Sequence, residues 1–247
     1  MAERWAIDIA NMTKRFQKTA ALKGISLKVR PQEIFGLLGP NGSGKTTLLR
    51  ILCTLMLPDA NSGRCRVAGH DLLSEQEAIR RKIGYVPQQD ALYNDLSARD
   101  NLLLFSTPYF TDRNVQKNRV SGLLNQVRLY ERRHDLVKTF SGGMKKRLSI
   151  ACALAHNPEI LFLDEVTVGL DTSLRHEIWD LLRGQKQHSS IVVTTHYIPE
   201  AEQYCDRVAL MLQGGILDVG RPGELIHKNR PAANLEEVML VYEGKLT

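Results

Sequence analysis

The sequence predicts an α/β fold: a parallel sheet of continuous apolar strands, an antiparallel β region near the N-terminus, and an inserted block of helices. Three observations carry that reading. Ile34 to Leu38 is an apolar run that leads into Gly39-Pro40-Asn41-Gly42-Ser43-Gly44-Lys45-Thr46-Thr47 and then into the helix formers Leu48 to Leu52, giving strand, loop and helix in succession. Ile25, Leu27 and Val29 alternate with Ser26, Lys28 and Arg30, the period of a half-buried antiparallel strand. Between Asp90 and Thr139 the period changes, and Val120, Leu123, Leu124 and Val127 recur at helical spacing.

The glycine-rich stretch has the G-x-x-x-x-G-K-[ST] spacing of a phosphate-binding loop. Gly42 and Gly44 let backbone N–H groups turn inward without a Cβ clash, with the positive end of the next helix behind them. Lys45 would reach β- and γ-phosphates, and the Thr46 hydroxyl would ligate Mg2+. An ordinary glycine-rich turn would not need the strand before it and the helix after it.

Upstream, residues 7–16 alternate like 25–29, with Gln17-Lys18-Thr19 as the turn region between two strands. Phe16 ends the first of them, where an aromatic can stack on an adenine ring or serve only as an edge residue. Downstream, Pro58 to Gly63 is a turn cluster, Cys65 and Val67 belong to a short strand, and Ser74-Glu75-Gln76-Glu77 reads as a capping box. Ile83 to Val86 forms a strand that stops at Pro87, placing Gln88 in the loop beyond it. A carbonyl there can touch a metal and sense a γ-phosphate.

The helical block opens with Ser97 and Asp100 framing a helix start. Tyr93, Leu96 and Leu102 to Phe105 could form a groove for a partner helix. Ser141-Gly142-Gly143-Met144 precedes a strong helical segment, so a hydroxyl, free N–H groups and a dipole end coincide. Ile160 to Leu163 then runs into Asp164-Glu165. At the end of a buried parallel strand these carboxylates would emerge beside the phosphate loop, Asp164 toward Mg2+ and Glu165 toward an attacking water. Gly169-Leu170-Asp171 turns into the next helix, with Asp171 placed as an N-cap. The strand 191–195 carries His196 to the same edge. A hairpin around Gln213-Gly214 and an amphipathic helix from Leu235 close the chain.

Composition bounds the function. At 247 residues and 43% apolar content the chain can bury a large core. No apolar run reaches the roughly 18 residues of a membrane helix, and Met1 to Arg4 lack a leader's apolar region, so a cytoplasmic chain is expected. Cys53, Cys65, Cys152 and Cys205 are scattered and read as small core residues rather than as zinc ligands or disulfides. The net charge of +6 lacks the basic runs with interleaved aromatics that would point to nucleic acid.

In order, the phosphate loop, Gln88, Ser141 to Met144, Asp164-Glu165, Gly169 to Asp171 and Thr194-Thr195-His196 resemble the nucleotide-binding domain of an ABC transporter, from Phe16 to the C-terminal hairpin. The chain is most similar to the drug-exporter branch, whose signature is often Ser-Gly-Gly-Met followed by basic residues and which often ends in a segment like Leu235 to Val238. The resemblance implies a P-loop NTPase with a RecA-like core, an N-terminal antiparallel β subdomain and an inserted α-helical subdomain. Residues 1–247 would form one ATPase domain, with 1–88 and 156–247 as core plus β subdomain and 89–155 as the helical part. It implies ATP and Mg2+ as ligands. Phe16 would stack on adenine, Gly39 to Thr47 would be Walker A, Gln88 the Q-loop, Asp164 Walker B, Glu165 the catalytic carboxylate, Asp171 the D-loop residue and His196 the switch histidine. Ser141, Gly142, Gly143 and Met144 would contact ATP held by a second subunit in a head-to-tail dimer, expected to be a homodimer. Transmembrane permease subunits would be the other partners, and the chain would sit at the inner face of the membrane through them. Met144 replaces the usual signature glutamine, and Val166 sits where the family commonly has proline. A non-transport ATPase of the same fold and a non-hydrolysing regulatory module are the rival readings.

Overall fold

In a computed structural model of the chain, which describes residues 5–245, the alternating N-terminal residues form two paired strands, β1 (Ile7–Phe16) and β2 (Thr19–Val29). Met1 to Arg4, where no leader was expected, lie outside the described residues. Along β2, Leu22, Ile25, Leu27 and Val29 turn inward while Lys23, Ser26 and Lys28 face solvent. The short strands β4 (Cys65–Val67) and β5 (His70–Asp71) complete an antiparallel sheet in the order β2-β1-β4-β5. All four cysteines are buried and free.

The second sheet is built from β3 (Ile34–Leu38), β6 (Ile83–Val86), β7 (Ile160–Asp164), β8 (Ser190–Thr195), β9 (Arg207–Leu212) and β10 (Gly215–Gly220). Its order is β10-β9-β3-β8-β7-β6, parallel throughout except for the β9–β10 hairpin. Every residue of β3, β7 and β8 is buried, as expected of parallel strands covered on both faces. Strand parity divides two cores. Leu38, Leu161, Leu163, Ile191 and Val193 face one, whereas Phe35, Leu37, Phe162 and Val192 face the other together with Leu48 and Leu52 of α1 (Lys45–Leu52) and the inner face of β1 and β2.

The helix α2 (Gln76–Arg80) follows β5, but Ser74 does not cap it. The Ser74 hydroxyl is instead turned back to Asp71, whose carboxylate accepts from Leu73 N, Ser74 N and Ser74 Oγ at 3.1, 3.1 and 2.9 Å in the turn before the helix, and α2 begins without a side-chain cap. Two acceptors competed for one turn, and the carboxylate won.

Between β6 and β7 run α3 (Ala98–Ser106), α4 (Arg113–Gln126) and α5 (Gly142–Ala153). Ser97 accepts from Asp100 N at 3.0 Å, and Asp112 accepts from Asn114 N at 2.7 Å, so side-chain caps start both α3 and α4. Val120, Leu123, Leu124 and Val127 are buried as their spacing requires, in the same core as the Leu161 face of the sheet. Trp179 of α6 (Thr172–Gln185) also lies in that core. After β8 come α7 (Ile198–Tyr204), and after the hairpin α8 (Pro222–Lys228) and α9 (Leu235–Tyr242).

Because helices and sheet share that core, Leu123→Ala should cost about 2–5 kcal/mol and lower one common transition. Denaturant unfolding followed by indole fluorescence and by circular dichroism should shift together; a separate early helical transition would contradict the shared core.

Candidate active site

Strands β3, β8, β7 and β6 lie side by side and end at one edge, with Leu38 opposite Thr195, Thr194 opposite Asp164, and Leu163 opposite Val86. Each delivers one motif there: the glycine-rich loop, His196, Asp164-Glu165 and Gln88. This is the edge at which open α/β sheets bind ligands.

A cleft of about 670 Å³ opens at that edge, lined by Asn41, Gly42, Gly44 to Thr47, Gln88 and Glu165. Glycine is required at both ends of the loop. A Cβ on Gly39 would come within 2.2 Å of Met211 O, and one on Gly44, whose φ is +105°, within 2.6 Å of Ala21 O. Ser43 pins the loop through its backbone, donating to Pro40 O at 3.2 Å and accepting from Gly214 N at 3.1 Å. No side chain caps α1, so its first-turn N–H groups are left for an anion. Thr47 lines the same wall.

Lys45 is only 4% exposed. Its ammonium donates to Gly39 O at 2.7 Å and Pro40 O at 3.1 Å, and lies 4.0 Å from Glu165 Oε1. Burial lowers its pKa, and Glu165 and then Asp164 oppose that shift. Asp164, 2% exposed, accepts from Thr194 Oγ1 at 2.6 Å and Thr46 Oγ1 at 3.1 Å. Glu165 is 9% exposed and has a left-handed φ of +50°, a conformation costing a non-glycine residue about 1–2 kcal/mol. Its N–H donates to Thr194 Oγ1 at 3.0 Å. Gln88 Nε2 donates to its Oε2 at 3.1 Å, and His196 Nδ1 lies 3.4 Å from its Oε1. A carboxylate held from two sides beside an ammonium can accept a proton from a water poised over bound phosphate.

Other expected residues lie elsewhere. Ser141 and Gly142 are exposed, with Ser141 capping α5 by accepting from Met144 N at 3.3 Å; neither they nor Gly143 and Met144 line the cleft. Asp171 caps α6, accepting from Leu174 N at 3.0 Å. Phe16 is exposed at the end of β1, with Lys14 Nζ 5.5 Å from its ring centroid. Val166 is fully buried. Conversely, Thr19 to Ala21, Lys23 and Gln213 form a wall of the cleft that no motif marks. Lys23 N donates to Gly214 O at 2.8 Å, which brings the β9–β10 turn over β2. The only local sign of it is Gly214, whose added Cβ would meet Ala21 O at 2.8 Å.

The fold and the cleft define a P-loop NTPase. Residues 22–168 match the family model described as ABC transporter, and the chain belongs to that family. A daunorubicin resistance ATP-binding protein of Streptomyces coeruleorubidus is 38% identical over 242 residues, covering 98% of this chain and 75% of that protein. A Nod factor export ATP-binding protein of Rhizobium etli is 39% identical over 222 residues, 90% of this chain and 70% of that one. A solved dimeric ATP-binding cassette in a post-hydrolysis state, bound to ADP and phosphate, is 28% identical with a TM-score of 0.78, covering 87% of this chain and 98% of that one. The chain is accordingly an ABC transporter ATP-binding subunit that hydrolyses ATP, of a class that dimerises and serves membrane permease subunits. No helix among the described residues is long and apolar enough to cross a membrane.

Lys45→Ala removes the ammonium held between the loop carbonyls and Glu165. Nucleotide affinity in a calorimetric titration should fall by about 2 kcal/mol or more, roughly thirtyfold. Unchanged affinity would contradict the assignment of the loop.

Proposed function

We propose that this subunit works as a homodimer with two composite ATP sites and drives export of a drug, lipid or other hydrophobic solute through separate permease subunits. The observation that carries the composite site is a division of parts. Lys45, Gln88 and Glu165 share one cleft, while the N-terminus of α5 stands outside it with Ser141 and Gly142 exposed. A hydroxyl and free N–H groups at the positive end of a twelve-residue helix suit a γ-phosphate brought by a second chain.

The donors fit Mg2+. Two buried carboxylates face one buried ammonium, so the site is acidic before ATP adds its charge. Thr46, Asp164 and Gln88 offer hard oxygen atoms, and a magnesium site completed by phosphates and water needs no large protein cluster. Among the described residues there is no group of three His, Cys, Asp or Glu placed for a metal. When bound, the ion would neutralise charge developing on the transferred phosphoryl group. Lys45 holds the β- and γ-phosphates in this reading, Glu165 takes the proton of the attacking water, and His196 and Gln88 hold Glu165 in line. Asp171 and Phe16 act at the edges of the same site, on the partner's loop and the adenine.

Residues 89–155 act as the helical unit that meets the permease, and residues 1–88 with 156–247 act as core. A groove of about 160 Å³ begins at Pro87, next to Gln88, and is lined by Leu92, Phe105, Tyr109 and Cys152. Tyr93, Leu104 and Tyr109 are exposed beside it, whereas Leu102 turns into the core, so the apolar face is narrower than the sequence alone suggests. A permease helix seated there would feel Gln88 through one residue of backbone. Export is supported by the resistance and export functions named for the relatives, and the chain would lie on the cytoplasmic face of the membrane.

Glu165→Gln should keep ATP binding, abolish phosphate release and hold the dimer closed, seen as an ATP-dependent dimer in size-exclusion chromatography. Turnover at the wild-type rate would remove Glu165 from this role. Leu104→Glu combined with Tyr109→Glu should leave ATP affinity intact and prevent co-purification with the permease; undiminished co-purification would displace the docking site.

A further inference from the structure

The two segments that carry Glu165 and His196 are joined a second time, away from the cleft. Thr167, two residues beyond Glu165, donates its hydroxyl to Glu200 Oε2 at 2.7 Å. Glu200 lies four residues beyond His196, on α7. Both side chains are buried, Thr167 at 4% and Glu200 at 6% exposed. The second carboxylate oxygen, Oε1, faces Arg175 Nη1 of α6 at 3.4 Å, and that guanidinium lies 4.8 Å from the ring centroid of Tyr197, the residue after His196.

We propose that Glu200 is a positioning residue for ATP hydrolysis: through Thr167 it fixes the backbone after Glu165 against the segment that carries His196. The inference rests on Glu165 and His196 acting as described above. Gln88 and His196 hold the Glu165 carboxylate, but its backbone is tied to the sheet through its own N–H, which meets Thr194 Oγ1 at 3.0 Å and Thr194 O at 3.2 Å. Beyond Glu165 the chain enters the 166–171 turn. The backbone bonds there, Val168 N to Glu165 O and Leu170 N to Thr167 O, are both 3.3 Å long and internal to the turn. They shape the turn without tying it to the sheet or to α7. The Thr167–Glu200 bond supplies that tie, and its effect is largest where a left-handed residue would otherwise relax.

The chemistry of the pair argues for placement rather than bulk stability. A buried ion pair is commonly replaceable by well-packed apolar residues of similar volume at little cost in stability. What an apolar residue could not do is set direction. The hydroxyl and carboxylate give the turn one preferred register, and displacements of under an ångström at a general base are costly in rate.

The test measures phosphate release and nucleotide affinity on the full chain carrying Thr167→Val, Glu200→Ala, Glu200→Gln, or Thr167→Val with Glu200→Ala. Thr167→Val and Glu200→Ala should each lower kcat about ten- to a hundredfold while KM for ATP and calorimetric affinity stay within about twofold of wild type. Glu200→Gln keeps an acceptor for Thr167 and should recover most of the rate. The double variant should be no slower than the slower single one, as expected of two halves of one contact. Wild-type kcat in Thr167→Val would overturn the proposal. So would losses in affinity or thermal midpoint without a fall in kcat, or a Glu200→Gln variant as slow as Glu200→Ala. Failure of the underlying reading shows differently: the wild-type chain itself would release no phosphate, or Glu165→Gln would still turn over, and either result would overturn both.

Discussion

The structure depends on burying unlike charges at one sheet edge. Lys45, Asp164 and Glu165 are all under one-tenth exposed, and two carboxylates against one ammonium are not balanced. Burying such groups is expensive unless each is hydrogen-bonded. The molecule meets the cost with backbone, hydroxyl and amide partners: Gly39 and Pro40 carbonyls for Lys45, Thr194 and Thr46 hydroxyls for Asp164, and the Gln88 amide for Glu165. The loop between β3 and α1 can present those carbonyls to Lys45 because glycine lets it pass close to β2 and β9, where a Cβ would meet Ala21 O or Met211 O.

From that edge the coupling runs through packing. The helices between β6 and β7 have no core of their own; Leu123 and Val120 lie in the same apolar mass as Leu163 and Trp179. At Gly143, where an added Cβ would sit 2.5 Å from Leu174 Cδ1, α5 packs against the first turn of α6, and a larger residue there would have to push the Leu174 side chain aside. A shift of the α5 N-terminus is therefore felt by the helix that Asp171 caps. Lys146, buried, donates to Gln88 O at 3.1 Å and pairs with Asp90 at 3.2 Å, which ties α5 to the loop after β6 as well. Cleft, exposed helix end and apolar groove thus sit on one continuous piece of structure.

Much of this was legible in the residues. The parallel strands declared themselves as unbroken apolar runs, β2 by its alternation, and the helix starts by Ser97, Ser141 and Asp171. That Gly39 to Thr46, Gln88, Asp164-Glu165 and His196 would meet at one sheet edge was legible because each is short-range: a residue type at a strand end. What the sequence hid was long-range. The wall from Thr19 to Lys23 and Gln213 exists only because a hairpin closes over β2, and the Thr167–Glu200 bond joins residues 33 apart through a fold that no local pattern announces. Ser74 misled because a nearby acceptor, Asp71, was closer in space than in pattern.

In the proposed dimer each ATP site is assembled from two chains, loop and carboxylate from one and the α5 N-terminus from the other. Complementation tests it directly. Chains carrying Lys45→Ala and chains carrying Ser141→Arg should each be inactive in phosphate release, yet a mixture should regain activity, because a mixed dimer holds one intact loop facing one intact α5 N-terminus. Recovery that rises with the mixed-dimer fraction is the predicted result. A mixture as inactive as either variant alone, at concentrations where mixed dimers are demonstrated, would contradict the account.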